Sequence, residues 1–232
     1  MTCPPSPEII AHVRAEFGPR TLLAFSCGKD SIAAWLAIRD HFEEVVPYYC
    51  YMIPGLELVE ESLAYYERFF GVAHIARMPH PALYKWLNRG IFQTPGRIEV
   101  IYAAKLPLFE FQDIARLVAA RAGIETPMVA DGVRAADSPL RAIGFRKYGA
   151  IRRAQGRYCP VWDWSKDRLI AEFERSGVKL PVDYDLFGRS FDGIDLRFVV
   201  PLKERRPADY RRVLEWFPLV EAAVWKYERS LA

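Results

Sequence analysis

The sequence predicts an α/β protein with a largely parallel sheet, and three observations support this fold class. The run Thr21–Phe25 consists of β-branched, aliphatic and aromatic residues, as in a strand that is covered on both faces. A short polar turn follows, and then a helix in which Ile32, Trp35 and Leu36 form an apolar stripe. The order of strand, turn and helix recurs further along the chain. The 232 residues are 51% hydrophobic and 26% charged, which is sufficient for a sizeable core.

The remaining elements follow from apolar spacing and from the residues that break it. Residues 90–107 give no clear pattern, and both a substrate loop and a solvated connection fit them. Within this stretch, 98–103 fits either a strand or the start of a helix. The other predicted elements are a helix in 4–19, a helix from the first turn to about 42, a strand 43–53, a helix 57–70, a strand 73–78, a helix 79–89, a helix 109–122, a strand 127–130, a helix 165–176 and helices in 207–232.

The polar turn Ser26–Ser31 has the chemistry of an anion-binding loop. It lies between a buried strand and a helix N-terminus, where backbone N–H groups and the helix dipole favour negative charge. Gly28 allows a ligand to approach the backbone, and Lys29 adds a cation. The turn has neither the G-x-x-x-x-G-K-[ST] pattern of a Walker A loop nor the G-x-G-x-x-G pattern of dinucleotide folds.

Three stretches resemble one known family. Ser-Cys-Gly-Lys-Asp-Ser at 26–31 resembles the S-G-G-K-D-S loop of the adenine nucleotide alpha-hydrolase (PP-loop, N-type ATP pyrophosphatase) superfamily, in particular its PAPS reductase-like branch. Residues 53–55 and the helix segment 61–65 resemble the D-T-G turn and the E-T-x-x-Y helix of that branch, although the aspartate is absent. The Gly-x-Arg…Ser-x-x-Arg pattern at 132–141 resembles its third signature.

The resemblance implies a Rossmann-like (HUP-type) fold with a mostly parallel, five-stranded sheet, helices on both faces and a C-terminal helical extension. The expected organisation is an N-terminal helix in 1–20, a nucleotide-binding domain in 21–188 and the extension in 189–232, packed on that domain.

The resemblance also implies which residues form the site. Lys29 and Asp30 are the expected catalytic residues, with Asp30 as the nearest candidate for work at a Mg²⁺ ion. The expected ligands are ATP and Mg²⁺. The expected binding residues are Ser26, Cys27, Gly28, Lys29, Asp30, Ser31, Gly55, Gly132, Arg134 and Arg141.

The cysteines restrict the chemistry. Cys3, Cys27, Cys50 and Cys159 form no C-x-x-C pair, so we expect no iron–sulfur cluster and no zinc site. No cysteine follows Cys159. A sulfonucleotide reductase needs a thiolate that attacks sulfur, so the sequence argues against reductase activity.

Three functions remain open at this point. In the first, the chain cleaves ATP between the α and β phosphates, adenylylates an acceptor and releases pyrophosphate and AMP, in sulfur transfer or in nucleotide or nucleic-acid modification. In the second, it binds a sulfonucleotide such as PAPS or APS without reducing it. In the third, it is a nucleotide-dependent module associated with nucleic acid. The first is preferred because it requires no missing residue, and the acceptor stays unknown.

Charge and apolar patterns give the expected partners and location. The net charge is +3, too mild by itself to indicate nucleic-acid binding, but the stretch 134–157 is basic with aromatic residues interleaved. Both a nucleic-acid contact and a solvated face fit that stretch. The apolar residues of the C-terminal helices fit either packing on the domain or a homodimer. No signal peptide and no membrane-spanning run is visible, so we expect a cytoplasmic protein without membrane contact.

Overall fold

The computed structural model describes residues 3–231, which form a sheet flanked by helices. The helices are α1 (Ser6–Phe17), α2 (Lys29–Ile38), α3 (Glu57–Phe70), α4 (Pro81–Asn88), α5 (Pro95–Ala104), α6 (Phe111–Ala122), α7 (Pro139–Tyr148), α8 (Lys166–Ser176), α9 (Val182–Phe187), α10 (Leu196–Arg205), α11 (Pro207–Trp216) and α12 (Val220–Leu231). The strands are β1 (Arg20–Ala24), β2 (Glu44–Tyr51), β3 (Ala76–Pro79), β4 (Val129–Ala130), β5 (Ile151–Arg152) and β6 (Arg157–Tyr158). Short 3-10 turns cover Ala135–Asp137 and Arg153–Gln155.

The strands form one sheet in the order β3-β2-β1-β4-β6-β5. Strand β1 is parallel to both of its neighbours, with Leu22 opposite Val46 on β2 and opposite Val129 on β4. Strand β4 is parallel to β6, whereas β5 and β6 are antiparallel. The predicted α/β class and the mostly parallel sheet are therefore confirmed.

The number of strands is corrected from five to six among the described residues. Strands β5 and β6 form a hairpin of two residues each, within the stretch that the sequence showed only as basic. Two residues are too few to display the alternation by which a strand is recognised in a sequence. Residues 95–104, which the sequence left open, form the helix α5, with Pro95 at its first position.

The chain forms two compact units. The first contains the chain up to Tyr49 together with Gly71–Arg77 and Gln112–Leu180, and the second contains Cys50–Phe70, Met78–Phe111 and the chain from Pro181 onward. In the described part of the chain, none of the helices combines the length and the apolar character needed to cross a bilayer.

The core of the first unit is built around β1 and α2. Leu22 and Leu23 are fully buried, and so is Ile32 on the helix. Thr21 is buried as well, and its hydroxyl donates to the carbonyl of Met128 at 2.8 Å. Because this polar group has a partner, the centre of the sheet carries no desolvation penalty from it. The site described below includes the loop that joins this strand to this helix.

The second unit has its own core, which includes the helices α3, α10 and α11. Leu58 and Leu63 of α3 are fully buried, as are Phe198 of α10 and Val213 of α11. Asp209 of α11 accepts hydrogen bonds from the backbone N–H groups of Glu57 and Leu58, at 2.5 and 3.2 Å. The first turn of α3 is thus capped by a carboxylate that is distant in the sequence.

Candidate functional site

The loop after β1 carries the start of α2 to the carboxyl end of a central strand. Gly28 is the N-cap residue, with an extended backbone conformation (φ −75°, ψ 152°). Its carbonyl accepts hydrogen bonds from the N–H groups of Ser31 and Ile32, at 3.0 and 3.1 Å. Strand β1 has β2 on one side and β4 on the other. The carboxyl ends of such strands are where open α/β sheets bind ligands.

The hydroxyl of Ser31 holds the loop in shape. Its Oγ donates to the carbonyl of Gly28 at 2.8 Å and accepts from the backbone N–H of Ser26 at 3.2 Å. The hydroxyl of Ser26 lies 3.2 Å from the same Oγ, and it also accepts from the N–H of Gly28 at 3.4 Å. Both serines therefore shape the loop from within.

Cys27 gives the loop an unusual backbone. Its φ is +58°, in the left-handed region, and its side chain is buried. For a residue with a Cβ this conformation costs about 1–2 kcal/mol. The family loop that this stretch resembles has glycine at this position. Glycine adopts a positive φ without strain, so the cysteine of this chain replaces glycine at a position where the backbone favours glycine.

An alternating series of charges extends from the loop, and we name it the ion chain: Lys29, Asp30, Arg134, Asp137 and Arg141. Lys29 Nζ lies 2.6 Å from Asp30 Oδ2, and Arg134 Nε lies 2.8 Å from Asp30 Oδ1. Arg134 and Arg141 each donate to one oxygen of Asp137, at 2.8 and 2.6 Å. The middle is buried, with 6% of the Arg134 side chain exposed, whereas the end cations Lys29 and Arg141 are 40% and 48% exposed.

Arg134 has a protein acceptor for each of its three guanidinium nitrogens. Besides the two carboxylates of the ion chain, its remaining nitrogen donates to the carbonyl of Trp164 at 3.3 Å. A buried guanidinium with this set of partners joins three segments of the chain: the start of α2, the turn after β4 and the segment before α8. In this arrangement the guanidinium holds these elements together through its hydrogen bonds.

Gly132 lies where two backbone segments meet. A Cβ at this position would be 2.4 Å from the carbonyl carbon and oxygen of Asp30 and 2.7 Å from the backbone nitrogen of Ser31. No side chain fits this gap. The sequence indicated Gly132 as a binding residue, and the structure shows that its lack of a side chain lets the turn after β4 pack directly against the start of α2.

The thiols of Cys50 and Cys159 both have raised pKa values. Burial, and then the nearby Asp131 carboxylate, raises the pKa of Cys159 far above its usual range. Burial also raises the pKa of Cys50, to about 12. A thiol is a poor nucleophile unless it ionises, so neither group is prepared to attack sulfur.

Gly55 lies in the second unit, in the turn between β2 and α3. Its φ is +74°, and a Cβ there would face the guanidinium of Arg212 at 3.6 Å. The N–H groups just after it, of Glu57 and Leu58, already have the Asp209 carboxylate as acceptor. A ligand-binding role for Gly55 therefore stays a prediction.

The structure brings five of the predicted site residues together in the first unit: Lys29, Asp30, Gly132, Arg134 and Arg141.

Asp137 also belongs to this cluster, and it is not among the binding residues predicted from the sequence. It follows Arg134 by three residues and precedes Arg141 by four. Such spacing brings side chains together on one face of a helical turn. The sequence feature that could have identified Asp137 is its charge, since it is the one acid in the basic stretch 134–157.

Part of the positive charge in the stretch 134–157 is neutralised by ion pairs. Arg153 pairs with Glu16, and Arg157 pairs with Asp131 at 2.9 Å. Arg146 and Lys147 on α7 are exposed, and within residues 3–231 neither has an acidic side chain as a partner. The exposed Tyr148 lies beside them, with Lys147 Nζ 5.0 Å from its ring centre.

No known protein family and no curated protein matches the sequence. The fold is similar to that of the U34-tRNA thiolase NcsA from Methanococcus maripaludis, with 13% identity and a TM-score of 0.45, covering 93% of this chain and 78% of that chain. It is also similar to that of the NH3-dependent NAD synthetase from Campylobacter jejuni subsp. jejuni, with 13% identity and a TM-score of 0.48, covering 95% and 90%. Neither likeness confirms the resemblance to the PAPS reductase branch. These likenesses transfer no activity and no residue role to this chain.

The cofactor expectation is corrected by this comparison. The resemblance implies ATP and Mg²⁺, and the lack of a C-x-x-C pair predicts that no iron–sulfur cluster is present. The tRNA thiolase is described with its [4Fe-4S] cluster, so this exclusion was wrong as an inference from the pattern. Ligating cysteines can converge from distant positions in a fold. In this chain, residues 3–231 contain no group of three or more His, Cys, Asp or Glu placed to hold a metal ion.

Proposed function

We propose that the protein binds ATP with its β and γ phosphates at the loop Ser26–Ser31 and transfers the AMP moiety to an acceptor. A nucleophile of the acceptor attacks the α-phosphorus. The bond from that phosphorus to the α,β-bridging oxygen breaks, and pyrophosphate leaves with the electron pair. A second nucleophile can then displace AMP from the adenylylated acceptor.

The observation that carries this proposal is the ion chain at the start of α2. Its three cations and two carboxylates leave one net positive charge, and the exposed groups at both ends are cations. The helix N-terminus adds the positive end of its dipole. A polyphosphate is the kind of ligand for which this arrangement is suited.

The residues have separate tasks in this proposal. The backbone of the loop and Lys29 stabilise the charge that develops on pyrophosphate as it leaves. Asp30 orients Lys29 through the 2.6 Å contact between Nζ and Oδ2. No protein nucleophile is required, because catalysis consists of positioning and charge stabilisation. Gly55 belongs to the proposed nucleotide site on the resemblance alone.

The test is nucleotide binding and turnover by the full chain. Isothermal titration calorimetry with ATP should give a saturable signal, and Lys29→Ala should weaken it about tenfold or more, since a charge-assisted contact is lost. Lys166→Ala, an exposed lysine at the start of α8, is the matched control and should bind as the wild type does. Unchanged affinity in Lys29→Ala would contradict the assignment of the loop.

Turnover separates the proposal from its alternative. Release of pyrophosphate from ATP in the presence of an acceptor supports adenylylation. The alternative is a sulfonucleotide-binding protein that does not reduce its ligand, and the protonated state of Cys50 and Cys159 favours it over a reductase. Displacement of ATP by PAPS or APS, with no pyrophosphate release from any acceptor, would establish that alternative.

We propose nucleic acid as a candidate acceptor, because α7 carries two exposed basic side chains without an acidic partner among the described residues. Arg146 and Lys147 are exposed beside Tyr148, whose ring can stack on a base. Retention of single-stranded RNA or DNA that weakens as salt rises would support it. A charge-neutral variant, Arg146→Gln with Lys147→Gln, should abolish the retention and leave ATP binding unchanged.

We also propose that the C-terminal helices contribute a homodimer contact. Trp225 on α12 is 57% exposed, and Leu219 just before this helix is 42% exposed. Aromatic and aliphatic side chains of this kind are common at interfaces. Sedimentation of the wild type and of Trp225→Ser tests it, with a shift to monomer expected in the variant and a monomeric wild type contradicting it.

A further inference from the structure

We propose that Asp137 is a positioning residue of the nucleotide site, which fixes Arg134 and Arg141 so that the ion chain presents its cationic ends in a defined geometry. This inference rests on the proposed ATP binding. It assigns a role to the one acid in the basic stretch 134–157.

The geometry around Asp137 supports this role. Its Oδ1 accepts from Arg134 at 2.8 Å, and its Oδ2 accepts from Arg141 at 2.6 Å. The backbone N–H of Arg134 also donates to Oδ2, at 3.3 Å. One carboxylate therefore holds two guanidinium groups and the backbone that carries one of them.

The backbone fixes Arg141 from the other side. Asp137 ends the 3-10 turn after β4, and the next residue, Ser138, caps α7 by accepting from the N–H of Arg141 at 3.2 Å. Arg141 is thus held at its amide by Ser138 and at its guanidinium by Asp137. This removes rotamers that a long exposed side chain would otherwise sample.

Stability alone does not account for the contact with Arg141. An ion pair with a half-exposed arginine contributes about 0–1 kcal/mol. The contact with the buried Arg134 is different, because the loss of Asp137 leaves this buried guanidinium with Asp30 as its one carboxylate partner and with one nitrogen lacking its acceptor. Asp137 therefore contacts both the buried Arg134, which connects three segments, and the exposed cation of Arg141. The Arg141 side chain faces solvent and is available to a phosphate.

The two physical effects of removing the charge have opposite signs. Asp137→Asn raises the net charge of the ion chain by one unit, so attraction alone would make ATP bind more tightly. Loss of orientation makes ATP bind more weakly, because the arginines must then be ordered during binding. The sign of the measured change decides between these effects.

The experiment compares ATP with adenosine, which lacks phosphates. In calorimetry, Asp137→Asn should weaken ATP binding about tenfold and leave adenosine binding unchanged. Arg141→Gln, at an exposed position, should weaken ATP binding by a similar factor without a risk to folding. The double variant Asp137→Asn with Arg141→Gln should lose less than the product of the two factors, because both substitutions remove the same oriented cation. Glu172→Gln, which breaks an arginine–carboxylate pair on α8, is the control and should match the wild type.

Each other outcome is decisive. ATP affinity that is unchanged or higher in Asp137→Asn would overturn the inference while the proposed function stands. An equal loss for ATP and adenosine with a lowered melting temperature would also overturn it, since this is the signature of a merely structural residue. Independent effects of the two substitutions would refute the link through Arg141. If the wild type itself fails to bind ATP, the proposed function fails and the inference falls with it.

Discussion

The starts of α2 and α3 form an instructive pair, because each helix follows a strand and a glycine-containing turn. At α2, the polar partners of the loop come from the loop itself, through Ser26, Gly28 and Ser31. At α3, the N–H groups of Glu57 and Leu58 are capped by Asp209, a carboxylate about 150 residues later in the chain. Similar local signals therefore produce a candidate anion site in one unit and a helix start that is already capped by an acid in the other.

Two buried or half-buried acids from each unit differ in the same sense. Asp30 and Asp137 in the first unit face guanidinium groups. Asp183 and Asp209 in the second unit have backbone N–H groups as their hydrogen-bond donors, and burial raises the pKa of both. Carboxylates paired with cations can serve an ionic ligand, whereas carboxylates that cap backbone groups serve the fold.

The largest expected effect is a loss of stability at the start of α2. Gly132→Ala places a Cβ within 2.4 Å of the backbone of Asp30, so the start of α2 must move. We expect a loss of about 3 kcal/mol or more in the free energy of unfolding, together with weaker ATP binding. Urea denaturation measures the loss. The control is Gly144→Ala within α7, where the nearest atom is 3.9 Å away and alanine should be neutral or slightly stabilising.

Much of the first unit could be predicted from local sequence. The apolar run at Thr21, the polar loop and the helix after it are signals contained within some twenty residues, and the structure has the strand and the helix where they indicate. The N-cap Ser165 is equally local, and its Oγ accepts from the N–H of Arg168 at 3.1 Å.

The missed features depend on residues that are far apart or too few. Strands β5 and β6 have two residues each, so no periodicity marks them. The cap that Asp209 forms on α3 cannot be read from either segment alone. The burial of Arg134 follows from three acceptors, and two of them, Asp30 and the carbonyl of Trp164, are about 100 and 30 residues away. Sequence could propose these residues, but only the fold shows their partners.

A second prediction tests the other half of the comparison, the capped start of α3. Asp209→Ala removes a buried carboxylate and leaves the N–H groups of Glu57 and of the buried Leu58 without their acceptor. We expect a loss of about 2 kcal/mol in the free energy of unfolding. Asp195→Ala removes an exposed local cap, the acceptor for the N–H of Arg197, and should cost about 1 kcal/mol or less. Equal costs for the two variants would contradict the special role given to the distant cap.

The smallest effect concerns pH and sharpens the contrast between the acids. Burial raises the pKa of Asp183 above its ordinary value of 3.8, and its Oδ1 has no hydrogen-bond partner. An acid whose pKa is higher in the folded state binds more protons there, so folding stability falls as pH rises from about 4 through the raised pKa. Asp183→Asn cannot ionise and keeps an acceptor for the N–H of Phe191. Its stability relative to the wild type should therefore increase with pH over this window. Melting temperatures of both proteins between pH 4 and pH 8 measure this difference. A difference that is constant with pH would show that Asp183 is not a strained buried acid.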